Sequence, residues 1–344
     1  MATAAEEEAM LMFHEWRGGV RGLVECGVTT VPPLFLSPTA VTAAAASVVA
    51  PTVDLSLPRP HAAAVVGAAA RSCGVFQVTN HGVPASAVAA ALAAVRAFTE
   101  QPFTARSRFY HPSDAGSVAY GTDAGAGGRP SHVVARLAHR APRQASRRLL
   151  PQPPGGVPGH AAGLGEEIAG LLAEGLGVGA GRLRPVQGCL MQCHYHPPCP
   201  EPERVMGSRE HTDGSLFTVL AQDGVGGLQV RLDDGQWVDV VPPVNGALLV
   251  NIGDVLKVVS NDEYRSVEHR VVIKSAQVAR VSIALFFNPT KHGESDFFGP
   301  LPELVTPGKP AQYRSLTLPE MLNNRIELGH AKPWSLDRFR AALN

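Results

Sequence analysis

From residue 211 to residue 287 the chain alternates short runs of strand-forming residues with turn residues, and this cadence constrains the fold more than any other feature. The runs fall at 216–220, 227–230, 237–240, 247–250 and 279–287. Asp223-Gly224, Asp233-Asp234-Gly235 and Pro242-Pro243 divide them, and such residues favour turns over continued strand. Many short strands with this punctuation predict two antiparallel sheets packed as a double-stranded β-helix, or jelly roll. The expected fold class is mainly β, with helices flanking the jelly-roll core.

A few polar residues stand out against this pattern. His211 and Asp213 are two apart, the spacing that sends side chains from one face of a strand. His269 follows two or three hairpins later, enough for the chain to return to the same mouth. Two imidazoles and one carboxylate on one triangular face leave three coordination positions open, the arrangement typical of non-haem iron(II) oxygenases. Zinc accepts the same atoms, but a catalytic zinc site is usually tetrahedral with one open position. Arg280 and Ser282 are also two apart, within an apolar run. A guanidinium there needs an anion, which a carboxylate held bidentately would supply, with the serine hydroxyl adding a bond. Each piece alone has a plainer reading. His-x-Asp is common, His269 could be a satisfied core histidine, and Arg280 could pair with an internal acid.

Five stretches of the C-terminal half carry a family resemblance: His194-Tyr195-His196-Pro197-Pro198-Cys199-Pro200-Glu201-Pro202-Glu203, His211-Thr212-Asp213, Gly226-Gly227-Leu228-Gln229-Val230, Asn251-Ile252-Gly253-Asp254 and Ser266-Val267-Glu268-His269-Arg270. Gly74-Val75-Phe76-Gln77-Val78-Thr79-Asn80-His81-Gly82-Val83-Pro84, Gly19-Val20-Arg21-Gly22-Leu23-Val24 and Val31-Pro32 add to it. Together they resemble the plant iron(II)/2-oxoglutarate-dependent dioxygenases of the isopenicillin N synthase-like superfamily. The subgroup most like this chain holds the deacetoxyvindoline 4-hydroxylase-like and aminocyclopropane-carboxylate oxidase-homologue proteins, with the benzoxazinoid dioxygenase nearby. The resemblance covers residues 15–112 and 164–344.

It implies His211, Asp213 and His269 as iron(II) ligands, and Arg280 and Ser282 as the anchor for the distal carboxylate of 2-oxoglutarate. Oxygen is the other implied co-substrate, with ascorbate as a reductant. Phe286 stands where a family aromatic often lines the substrate pocket; core packing is its other reading. His81 belongs to a family turn and is expected to be structural. The implied reaction is hydroxylation or demethylation of a specialised plant metabolite by a monomer. An ascorbate-dependent oxidase of the same fold, a homologue that binds metal without turnover, and a zinc hydrolase are the rival readings.

The chain departs from the family pattern twice. Where the family has Asn-x-Tyr-Pro, with the tyrosine hydroxyl helping to bind 2-oxoglutarate, this chain has His194 and His196. An imidazole can donate to the same carboxylate. Between Tyr120 and Leu164 the family's Trp-Arg-Asp segment is missing. Residues 121–160 carry six arginines, one acid and no aromatic residue, too little to build a core. Residues 113–163 are therefore expected to be an atypical low-complexity segment: a flexible insertion, a divergent lid or a frame-shifted stretch. On either side, residues 1–112 should form helices and strands packed on the core. Residues 164–344 should form the jelly roll with C-terminal helices.

Helices are expected at 61–72, 85–98, 318–324 and 335–343, the last capped by Ser335, and short strands at 53–55 and 75–78. At 344 residues with 45% hydrophobic content, the chain can bury a sizeable core. Thirty basic side chains balance thirty acidic ones, so nothing draws it to nucleic acid or an anionic membrane. The start is acidic where a signal peptide is basic, and no apolar run spans a bilayer, which predicts a cytoplasmic protein. Five cysteines without a Cys-x-x-Cys pair read as reduced thiols. Cys189, Cys193 and Cys199 are expected as buried small residues rather than a second metal site. The expected partner is a small-molecule substrate.

Overall fold

The computed structural model describes residues 4–37, 40, 41, 44, 46–110, 118–124, 130–140, 157–183, 190–289, 297–328 and 335–341. The N-terminal part runs α1 (Ala4–Trp16), α2 (Gly19–Glu25), β1 (Ser47–Val48), β2 (Thr52–Asp54), α3 (Arg59–Ser72), β3 (Val75–Thr79), α4 (Ala85–Thr99) and α5 (Phe103–Arg106). Strands β4 (Val118–Ala124) and β5 (Pro130–Arg140) precede α6 (Val157–Gly175). Then come β6 (Leu190–His196), β7 (Met206–His211), β8 (Phe217–Gln222), β9 (Leu228–Arg231), β10 (Trp237–Val240) and β11 (Leu248–Ile252). They are followed by α7 (Asp254–Val259), β12 (His269–Val272) and β13 (Arg280–Phe287). The short pair β14 (Phe297–Phe298) and β15 (Leu316–Thr317) and the helix α8 (Leu318–Leu328) come last.

The strands form an eight-stranded sheet in the order β2-β3-β11-β8-β13-β6-β5-β4 and a five-stranded sheet in the order β1-β10-β9-β12-β7. Sequence period two decides what each face of the larger sheet meets. Phe76, Val78, Phe217, Val219, Val250, Ile252 and Phe287 turn outward and pack on α3 and α6 through Val66, Ala70, Ile168 and Leu172. Val75, Leu220 and Leu249 turn the other way and meet Leu228, Val230, Val238, Val240 and Val271 of the smaller sheet. At the far end Tyr195, Val281 and Ile283 pack outward against Val95 and Phe98 of α4 and against Val20 and Phe35. This is the jelly-roll core, with helices flanking the larger sheet. Each fully buried aliphatic or aromatic side chain contributes about 1.5–3 kcal/mol of transfer free energy.

The expected helices at 61–72, 85–98 and 318–324 are α3, α4 and the first part of α8. The helix expected at 335–343 is a correction. Ser335 Oγ does accept the Asp337 amide at 3.1 Å, as a cap should. Only one 3-10 turn, Asp337–Phe339, follows, because Arg340 leaves it to form a bridge with Tyr313; residues 342 and 343 lie outside the described residues. Within 113–163, residues 118–124 and 130–140 supply the last two strands of the larger sheet, β5 pairing with β6. The arginine-rich run at 143–148 and the Pro/Gly run at 151–156 lie outside the described residues. Cys193 and Cys199 are buried thiols, and burial pushes Cys193 up to about 12; Cys189 is outside the described residues. Among the described residues no helix is long and apolar enough to cross a membrane.

Candidate metal centre

His211 and His269 face each other across β7 and β12 as a registered pair, with ring centroids 4.3 Å apart. Each imidazole donates its Nδ1 hydrogen to a main-chain carbonyl: His211 to Arg209 at 2.6 Å and His269 to Val267 at 3.2 Å. In the neutral ring that tautomer would leave the Nε2 lone pair available to a metal on the Asp213 side.

Asp213 does not share a strand with His211, contrary to the strand-spacing argument. β7 ends at His211, and Asp213 lies in the turn before β8. The start of α7 holds that turn in place. The Asp254 amide donates to the Asp213 carbonyl at 2.7 Å, and Thr212 Oγ1 donates to Asp254 Oδ2 at 2.8 Å. Gly253 makes this approach possible, since a Cβ there would stand 2.2 Å from the Ser215 carbonyl oxygen.

The Asp213 carboxylate is buried and divided in its bonding. Oδ2 accepts from Thr218 Oγ1 at 2.5 Å and from Asn251 Nδ2 at 2.7 Å. Oδ1 points at the imidazoles, 3.7 Å from His211 Nε2 and 3.8 Å from His269 Nε2. Burial resists ionisation, but the two imidazoles and the two donors outweigh it and hold the carboxyl below its ordinary value. All three prospective ligand atoms lie within 4.8 Å of one another. Ligand atoms about 2.0–2.2 Å from one ion stand roughly 3 Å apart on a triangular face, so a small closing rotation would seat it. The His211 side chain keeps 38% of its surface exposed against 12% for His269 and 6% for Asp213, so the centre opens on the His211 side. The donor set suits a divalent metal with open positions.

Next to it lies a cationic pocket. β13 pairs with β6 so that Arg280 stands opposite His196 and Ser282 opposite His194, and with β8 so that Ser282 stands opposite Gln222. Directly paired residues share a face, so these five polar side chains look toward the smaller sheet. His196 is buried, and its Cδ2 lies 3.0 Å from where a Cβ would stand on Gly207 of β7. Arg280 is 4% exposed and donates to Ser282 Oγ at 2.8 Å and to Gln222 Oε1 at 2.6 Å. Its Nε and the Gln222 Nε2 are buried and find no hydrogen-bond partner among the described residues. Burial pushes the guanidinium down to about 10 against the pull of Asp223, so it stays charged at neutral pH. A buried cation beside an amide nitrogen that finds no acceptor among the described residues suits an acceptor-only anion, as a carboxylate is.

Phe286 shares this face of β13, opposite Thr218, and is half-buried. His81 holds the Gly246 carbonyl at 2.9 Å through Nε2 and accepts the Val83 amide at 3.2 Å, a turn-bracing role. Thr218, Asn251 and Gln222 went unrecognised in the sequence. The signal is present for Thr218, which lies inside the strand-forming run 216–220; Gln222 lies beyond that run and joins the same face only because β8 extends to it.

A family model described as 2OG-Fe(II) oxygenase superfamily matches residues 186–289, and one described as non-haem dioxygenase in morphine synthesis N-terminal matches residues 50–132. A 1-aminocyclopropane-1-carboxylate oxidase homolog of Solanum lycopersicum is 36% identical over 91% of this chain and 92% of its own length. The chain belongs to the 2OG-Fe(II) oxygenase superfamily. Among solved structures it is similar to JOX2 in complex with 2OG, Fe and JA, at 29% identity and TM-score 0.76 over 89% of this chain and 92% of that one. It is also similar to the rice dioxygenase for auxin oxidation, at 26% identity and TM-score 0.70 over 85% and 100% of the two chains. This 2OG-Fe(II) oxygenase is thus a non-haem dioxygenase of the plant type, and iron(II), 2-oxoglutarate and oxygen are the cofactor and co-substrates its family uses.

Proposed function

We propose that the chain hydroxylates or demethylates a specialised plant metabolite, with iron(II) on His211, Asp213 and His269 and 2-oxoglutarate anchored by Arg280 and Ser282. The observation that carries this reading is the adjacency of two complementary sites: three convergent ligand atoms, and a buried guanidinium whose Nε and neighbouring Gln222 amide nitrogen find no acceptor among the described residues. Iron(II) bound there would supply oxygen activation coupled to oxidative decarboxylation of 2-oxoglutarate to succinate and carbon dioxide. The chain's own residues prepare for that chemistry. The backbone bonds at both Nδ1 atoms fix the ligating tautomer. Thr218 and Asn251 occupy Asp213 Oδ2, which turns Oδ1 toward the metal.

Arg280 and Ser282 hold the far carboxylate, and His196 and His194, opposite them in register, line the same pocket as further donors. Phe286 lines the substrate side of the face, where it would exclude water from the reacting carbon. The relatives come from plants, which supports the substrate class.

The test is succinate release from 2-oxoglutarate, measured against a panel of plant alkaloids, benzoxazinoids and phenolics. Release dependent on one substrate and lost in His211→Ala is the expected result. Oxygen uptake driven by ascorbate alone, with no need for 2-oxoglutarate, would instead assign the oxidase chemistry named for the tomato relative.

A further inference from the structure

We propose that Gln222 belongs to the co-substrate anchor, donating from its amide nitrogen to the carboxylate that Arg280 and Ser282 hold. This rests on the reading that the pocket takes 2-oxoglutarate. Three observations carry it. First, β8 places Gln222 on the working face of the larger sheet. It stands opposite Ser282, two steps beyond Leu220 and four beyond Thr218, which reaches Asp213.

Second, its amide is oriented. Arg280 Nη2 donates to Gln222 at 2.6 Å, and a guanidinium has no lone pair to offer, so the atom facing it must be the amide oxygen. The amide nitrogen, with its two hydrogens, is therefore the atom that Arg280 does not engage.

Third, that nitrogen is buried and finds no acceptor among the described residues, as is also true of Arg280 Nε. Ser282 Oγ already accepts from Arg280 at 2.8 Å, so its own hydrogen is the one it can still give. The group thus presents an amide N–H, a guanidinium N–H and a hydroxyl, with every acceptor in it already engaged. Such a set, with a buried positive charge among its donors, is most complementary to a carboxylate. A glutamate at 222 would keep the shape but neutralise Arg280 and repel the ligand, which is a reason for the amide.

The experiment is anaerobic isothermal titration of the full chain loaded with manganese(II), using 2-oxoglutarate and 2-oxopentanoate, which lacks the far carboxylate. Gln222→Met should weaken 2-oxoglutarate by about ten- to a hundred-fold, as expected for one lost bond to a charged group, and leave 2-oxopentanoate unchanged. Gln222→Glu should lose more. Wild-type affinity for 2-oxoglutarate in either variant overturns the proposal. So does equal weakening of both ligands, which would mean general loss of packing. If the wild-type chain itself fails to bind 2-oxoglutarate, the co-substrate reading falls and takes this with it. If the wild type binds and the variants match it, only the role of Gln222 falls.

Discussion

At the scale of single residues, each prospective ligand is held in place by a neighbour outside the ligand set. Asp213 can offer one oxygen because Thr218 and Asn251 occupy the other. Thr218→Val and Asn251→Leu should each weaken iron(II) binding by about 10–100-fold while the fold persists, read by competition with a chelating dye. Undiminished affinity in both would remove them from the site. Arg280 carries a different cost. Its guanidinium is buried with one nitrogen that finds no acceptor among the described residues, so the chain bears the desolvation of a charge. Arg280→Met should abolish 2-oxoglutarate binding and raise the melting temperature of the ligand-free chain by about 2–4 °C. A fall in that temperature would show that Arg280 is structural. His211, His269, Arg280 and Ser282 were legible in the sequence because their chemistry sits in short, ordered motifs. Thr218 and Gln222 were not, because strand pairing across long stretches of chain brings them there, and Asn251, although part of a stretch that carries the family resemblance, shows its bond to Asp213 only in the folded register.

At the scale of elements, the site depends on one tight contact between the turn after β7 and the start of α7. Gly253 lies where a side chain would meet the Ser215 carbonyl at 2.2 Å, and the next residue's amide holds Asp213. Gly253→Ala should destabilise the chain by about 1–3 kcal/mol and weaken the metal centre with it, since neither backbone can yield without moving Asp213. Thermal melts with and without manganese(II) check both effects; a variant with wild-type metal affinity would uncouple the turn from the site. The strands of the jelly roll were readable from β-formers and turn residues, and α3 and α4 from alanine-rich runs. Five helices among the described residues, α1, α2, α5, α6 and α7, lie outside the expected helical segments, and three of them show why. α6 begins in a stretch dense in glycine and proline, and what makes it a helix is burial of Leu164, Ile168, Leu171 and Leu172 against the sheet. α7 is a short apolar run, VLKVV after Asp254, that resembles a strand until its tertiary contacts are known. α1 has an alanine- and glutamate-rich composition that favours helix, but it was read only for its charge.

At the scale of the whole molecule, the C-terminal segment packs Tyr313, Leu316, Met321 and Phe339 into the core, and one carboxylate gathers several of its polar ties. Asp262 accepts from Tyr313 at 2.5 Å, pairs with Arg340, and lies 3.4 Å from Lys257. Burial raises its pKa, but these partners outweigh that and hold it below the ordinary carboxylate value. Its contribution is therefore fully present above the unfolded pKa of about 4 and is lost only as pH falls through the lowered folded value. Asp262→Asn keeps a residue that tolerates the positive φ of 65° there and should cost about 1–2 kcal/mol. The melting-temperature deficit should be the same at pH 7 and pH 6; a deficit that shrinks markedly between them would contradict this assignment. The central claim is that one jelly-roll mouth holds a metal and a dicarboxylate side by side. Its most direct test is anaerobic addition of iron(II) and then 2-oxoglutarate to the metal-free chain, watching for the visible charge-transfer band of the chelate. The expected result is a band with the wild-type chain that is missing in both His211→Ala and Arg280→Met. A band of equal strength in Arg280→Met, or none in a wild-type chain that has bound iron, would contradict it.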